Sequence, residues 1–100
     1  MNIKDFQDMM KKIYIHHDSK RGIKATYEWL KSEVEELGEA IEKGGRDEVK
    51  LEFADVLAWL CSLANLLNVN LEEVALRRYS GKCPKCKSAP CTCSFRERPR

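Results

Sequence analysis

Apolar positions recur at helical spacing along most of this chain. Ile3, Phe6, Met10, Ile13 and Tyr14 predict a first helix from near Asn2 to about His17. Asn2 stands at its N-cap, and Asp5 three residues on completes a capping-box-like pair. Asp18-Ser19-Lys20-Arg21-Gly22 interrupts the pattern and is read as a loop. From about Lys24 to Lys43, Tyr27, Leu30, Val34, Leu37 and Ile41 step by 3, 4, 3 and 4, the amphipathic stripe of a second helix. A third helix, about Arg46 to Leu67, repeats the stripe with Val49, Phe53, Val56, Leu60, Leu63 and Leu67. It is apolar on much of its remaining surface, so those faces also require cover. Asn70 with Glu73 caps a short fourth helix ending near Tyr79, before Gly81. No strand-like alternation of any length and no internal repeat is seen, which points to an all-α fold.

Gly44-Gly45 between the second and third helices predicts that they fold back on each other. Glu36 and Glu39 are three apart, as are Glu52 and Asp55, so each pair shares one helix face. Folding about the glycines is expected to set Glu39 level with Glu52 and Glu36 level with Asp55. Helix axes roughly 8–10 Å apart let four carboxylates meet, and such a cluster repels itself unless cations neutralise it. All-oxygen ligands select hard ions such as Mg²⁺ or Mn²⁺. The bland alternative is a solvated acidic face, since Glu36 and Glu39 lie off the Tyr27–Ile41 stripe. Yet Trp29, Gly38 and Ala40 share their side, and helix three offers a second stripe of Glu52, Asp55, Trp59, Ser62 and Leu66. Small and aromatic residues beside acids suggest a further packing layer, most simply a second copy of the chain.

One hundred residues suffice for one compact domain, although chains this short often gain stability from a metal or from oligomerisation. The net charge of +2 is unevenly spread: residues 1–76 hold 10 Lys/Arg against 15 Asp/Glu, and residues 77–100 hold 8 against 1. An acidic helical body over residues 1–80 therefore carries a basic tail over 81–100. Nothing resembles a signal peptide or membrane span, and a cytoplasmic location is expected.

The run Glu35-Glu36-Leu37-Gly38-Glu39, followed after twelve residues by Glu52-Phe53-Ala54-Asp55, resembles the paired acidic signature of the MazG-like nucleoside triphosphate pyrophosphohydrolases. Trp29-Leu30-Lys31-Ser32-Glu33 before it and Val56-Leu57-Ala58-Trp59-Leu60 after it look like that family's usual context. The resemblance covers roughly residues 3–80. It implies a four-helix bundle completed as a homodimer or homotetramer, and hydrolysis of a nucleoside triphosphate to the monophosphate and pyrophosphate. It further implies Glu36, Glu39, Glu52 and Asp55 as Mg²⁺ ligands, with Glu36 also catalytic. Glu35 matches the motif too; it either orients or deprotonates the water or is a supporting or surface acid. For the phosphates, Lys31, Arg21, Lys24 and Arg78 are candidates, Arg standing at position 78 where Lys is more usual in the family. Trp59 and the pair His16-His17 are candidates for base recognition, against readings as core tryptophan and solvated histidines.

Cys83, Cys86, Cys91 and Cys93 form CxxC followed closely by CxC. Four thiolates so close suit one structural Zn²⁺, against an iron–sulfur centre or bare thiols, in a small C-terminal knuckle. Cys61, inside an apolar run, is read as core. The main rival function is a non-catalytic helical dimer binding nucleic acid through the basic tail, with Lys82, Lys85, Lys87, Arg96, Arg98 and Arg100 as charge. Only Phe95 and Tyr79 are available there for stacking, so that reading is not favoured. A di-iron bundle would commonly use Glu-x-x-His, which is absent.

Overall fold

The computed structural model describes residues 1–94. They form four helices, α1 Ile3–Arg21, α2 Ile23–Lys43, α3 Arg46–Leu66 and α4 Leu71–Arg78, and no strand occurs among the described residues. Phe95, Arg96, Arg98 and Arg100 of the basic tail lie outside that range.

The N-terminus of α1 follows its cap residues. Asn2 Oδ1 accepts from the Asp5 backbone N–H at 2.8 Å, and the Asp5 carboxylate accepts in return from the Asn2 N–H at 3.4 Å. Its C-terminus departs from expectation, because the segment read as a loop continues the helix to Arg21. The reason is an ion pair within the last turn. Asp18, only 2% exposed, accepts from Arg21 Nη1 at 2.8 Å, and the same nitrogen donates to Thr26 Oγ1 of α2 at 3.3 Å. The connection shrinks to Gly22, whose φ of 89° glycine adopts without strain.

Helix α3 is central and packs on both α1 and α2. Gly44 lets the α2–α3 hairpin close, since a Cβ there would stand 2.9 Å from the Ala40 carbonyl oxygen and collide with the Glu48 carboxylate. On the other side, buried Gln7 ties α1 to the end of α3. Its amide donates to Asn65 Oδ1 at 3.0 Å and to the Val69 carbonyl at 2.7 Å. Its Oε1 accepts from the Leu71 N–H at 3.0 Å, so one side chain also satisfies an N–H of the first turn of α4. Asn70 Oδ1 caps α4 by accepting from Glu73 N at 3.0 Å. No single helix among the described residues is long and apolar enough to cross a membrane.

The helix faces are used differently from the sequence expectation. The stripe read as the inner face of α2 is split: Tyr27 and Val34 are each 49% exposed and Ile41 62%, while Leu30 and Leu37 are half-buried. On α3, Phe53 is 58% exposed, and Leu60 and Leu67 are exposed too. In α1, Ile3, Ile13 and Tyr14 are also exposed, while Met10 is buried. What α2 and α3 turn toward each other is the acid-bearing side, with buried Ala40 and the Trp29 and Trp59 rings stacked at 5.6 Å. Small residues permit close approach of the helices there, and aromatic stacking adds roughly 0.5–1.5 kcal/mol. The buried apolar core is accordingly small, comprising Met10, Ala40, Cys61 and Ala64.

Candidate functional site

Between α2 and α3 runs an acidic trough. One carboxylate oxygen from each of Glu33, Glu36 and Glu52 lies within 4.8 Å of the other two. The hairpin explains which acids meet. Its turn is centred on Gly44-Gly45, so counting back equally from the turn sets Glu36 level with Phe53, next to Glu52 and two residues from the register expected. Glu36 therefore meets Glu52 in the converging group. Asp55 acts on Glu33 and Glu52 from the next turn. Glu39 lines the other end of the trough with Glu36, Lys43, Glu48 and Glu52. Glu35 is exposed and does not join the converging carboxylates.

Charge at this place is costly. Burial pushes Glu33 up to about 7, helped by its hydrogen bond with Glu36 and by the charges of Glu36, Asp55 and Glu52. Glu52 is also raised, first by burial and then by Glu36 and Asp55. Glu33 Oε2 and Glu52 Oε2 are buried without a hydrogen-bond partner. Orphaned carboxylate oxygens aimed into one space are the donor set a hard divalent cation takes. Glu33 was not among the expected ligands, although its spacing of three before Glu36 extends the Glu36–Glu39 series.

A cavity of about 250 Å³ adjoins the trough through Asp55 and is otherwise lined by Tyr14, His17, Asp18, Arg21, Ala58, Trp59 and Ser62. Two sequence candidates, Arg21 and Trp59, meet here: the guanidinium lies 4.7 Å from the Trp59 ring centroid. Asp18, read from sequence as loop, is a buried wall of this cavity, and its Oδ2 has no hydrogen-bond partner. His17 lines the cavity, and the His16 ring stands 3.9 Å from it. Lys24 lies in a wider groove along the start of α2, with Arg21, Trp29 and Ser32. Lys31 turns toward the outer face of α2, pairing with Glu28 at 3.5 Å and lying over the Tyr27 ring. Arg78 is exposed at the end of α4, a helix that packs chiefly on α1.

The four tail cysteines also converge, with all their sulfurs within 4.8 Å of one another. Cys83 and Cys93 sulfurs are 3.8 Å apart, as are those of Cys86 and Cys91. Four sulfurs about 2.3 Å from one tetrahedral ion stand about 3.8 Å apart, so the spacing fits a tetrathiolate site. Backbone N–H groups favour the thiolates: Thr92 donates to the Cys86 sulfur at 3.3 Å and pushes it down to about 5. The Cys86 and Lys85 N–H groups lower Cys83, whereas sharing a proton with Cys91 pushes Cys93 up to about 12. Cys61 stands apart, fully buried in α3, and burial pushes its thiol up.

Residues 21–87 match the family model described as the MazG nucleotide pyrophosphohydrolase domain. The match takes in α2, α3, α4 and the first two tail cysteines, and leaves out nearly all of α1. No curated protein matches the chain.

Proposed function

We propose, from the premise that this chain belongs to the MazG nucleotide pyrophosphohydrolase family, that it hydrolyses a nucleoside triphosphate to the monophosphate and pyrophosphate in a Mg²⁺-dependent reaction. The observation that carries this reading is the convergence of Glu33, Glu36 and Glu52, with Asp55 alongside and two carboxylate oxygens orphaned. Glu33, Glu36, Glu52 and Asp55 would hold the cation, with Glu39 at the trough's edge. When bound, Mg²⁺, or Mn²⁺ in its place, neutralises the triphosphate and polarises the α-phosphoryl group. Water adds to the α-phosphorus, the bond to the bridging oxygen breaks, and pyrophosphate leaves. Glu36 is read as the carboxylate that orients that water and takes its proton, a role supported by its place along the trough. Glu35, exposed on α2 and outside the converging carboxylates, is read as a surface acid. Lys24, in the groove along the start of α2, is the cation best supported for phosphate contact.

The test is product analysis on a nucleotide panel. Mg²⁺-dependent release of pyrophosphate, with at least about 100-fold loss in Glu36→Gln or Glu52→Gln at unchanged helical content, is expected. Release of orthophosphate, or turnover indifferent to divalent cations, would sink the reading.

The tail is read as a closed Zn²⁺ site of Cys83, Cys86, Cys91 and Cys93, structural because four thiolates leave no open position. The sulfur spacing supports this reading. Replacing Cys83 and Cys86 together by Ser should eliminate stoichiometric zinc, measured by atomic emission. Protein purified from zinc-replete medium without zinc would contradict it. The working unit is read as a homodimer or homotetramer, supported by the outward apolar stripes of α2 and α3.

A further inference from the structure

We propose that the cavity between α1 and α3 holds the nucleobase and selects guanine, through base N–H donors turned toward the carboxylate of Asp18. The inference rests on the pyrophosphohydrolase reading and names the substrate class of that site. The cavity shares Asp55 with the acidic trough, so a nucleotide whose phosphates lie over the acids turns its base toward it. At about 250 Å³ it suits one planar heterocycle and not a whole nucleotide, since larger ligands take pockets of roughly 300–1,000 Å³.

Asp18 supplies the selectivity. It is 2% exposed; Arg21 occupies Oδ1, and Oδ2 is buried without a partner. Leaving a buried carboxylate oxygen unpaired is costly, so a ligand bringing N–H groups gains what the empty arrangement forfeits. Guanine turns N1–H and its 2-amino group side by side toward one acceptor, with O6 adjacent. Arg21 donates to Asp18 and to Thr26 through Nη1, and a guanidinium carries five N–H donors, which leaves donors suited to O6. Uracil and thymine flank their single N–H with two carbonyl oxygens that oppose the carboxylate. Adenine and cytosine set a ring-nitrogen lone pair beside the amino group, with the same sign of penalty.

The decisive comparison is GTP against ITP, which differ by the 2-amino group alone. With the full-length, Mg²⁺-loaded protein, kcat/KM from pyrophosphate release is expected to be about 10-fold to 100-fold higher for GTP than for ITP, and lower again for UTP. Binding supplies a readout independent of turnover. GMP should quench the fluorescence of Trp29 and Trp59 with a Kd at least about 10-fold below that of IMP. Asp18→Asn, which keeps the shape, should bring the GTP and ITP values together; if it does not fold, the wild-type comparisons still decide. Equal turnover of GTP and ITP with equal binding of GMP and IMP overturns the base assignment and leaves the pyrophosphohydrolase reading standing. Pyrophosphate from no nucleotide, with GMP still preferred over IMP, would instead remove the reaction and keep the guanine site.

Discussion

Glu33 sits where burial and three neighbouring carboxylates all oppose its charge. Its affinity for a proton rises from the ordinary 4.5 to about 7 on folding. Between those values the folded chain keeps a proton that the unfolded chain has released, so stability of the metal-free protein falls as pH rises from about 4.5 to 7 and levels off above. On the proposed reading a divalent cation would take the proton's place at higher pH. Thermal melts in chelator should therefore show a lower Tm at pH 8 than at pH 5, with Mg²⁺ restoring part of it. Glu33→Gln should raise the metal-free Tm at pH 8 by a few degrees, each kcal/mol being worth roughly 4–8 °C in a domain of this size. It should also blunt the response to Mg²⁺. A metal-free Tm unmoved by pH and by the substitution would refute this account.

At the scale of the helices, two contacts set the hairpin and the bundle. Gly44 is required by space and not by its backbone angles, because a Cβ would meet Ala40 and Glu48; Gly45 has nothing within 4 Å of that position. Gly44→Ala should cost about 1–3 kcal/mol in urea unfolding, and Gly45→Ala no more than about 0.5. Equal effects would mean that the turn does not control helix approach. Gln7 bonds to α3, to the α3–α4 connection and to the first turn of α4. Gln7→Ala strands those partners and should cost about 2–4 kcal/mol, with hydrogen exchange rising first in α4. A loss below about 0.5 kcal/mol would show that water replaces the amide without penalty.

For the molecule as a whole, the outward stripes are the dominant fact. A chain with so few buried apolar side chains and exposed Tyr27, Val34, Ile41 and Phe53 leaves much of its hydrophobic surface to be covered by something else. On the proposed reading a second copy would supply the same stripe, self-complementary about a twofold axis. Sedimentation should give a dimer or larger species at micromolar concentration. Val34→Asp and Phe53→Asp should each weaken association at least about 30-fold, the cost of losing a buried anchor of roughly 2 kcal/mol. A compact, fully active wild-type monomer would contradict this.

Helix identity was legible because caps and periodicity are local. Asn2 with Asp5, Asn70 with Glu73 and the steps from Tyr27 to Ile41 read directly as elements. The four cysteines were legible too, since eleven consecutive residues bring them together without help from the fold. The acids were half legible. Spacing placed Glu36 on one helix face and Glu52 on another, but which carboxylates meet depends on how α2 and α3 fold back about Gly44-Gly45, a register no periodicity records. Asp18 was misassigned because the interrupted apolar pattern outweighed its local i,i+3 pairing with Arg21, and the anchor across the junction at Thr26 is a tertiary contact. The sequence by itself determined the helices, the stripes and the chemistry available. Only tertiary structure decided which part of each stripe faces inward, because burial is a property of neighbours: with Trp29 stacked on Trp59 and Ala40 buried, Glu33 and Glu52 are drawn in while Tyr27, Val34, Ile41 and Phe53 are left outside.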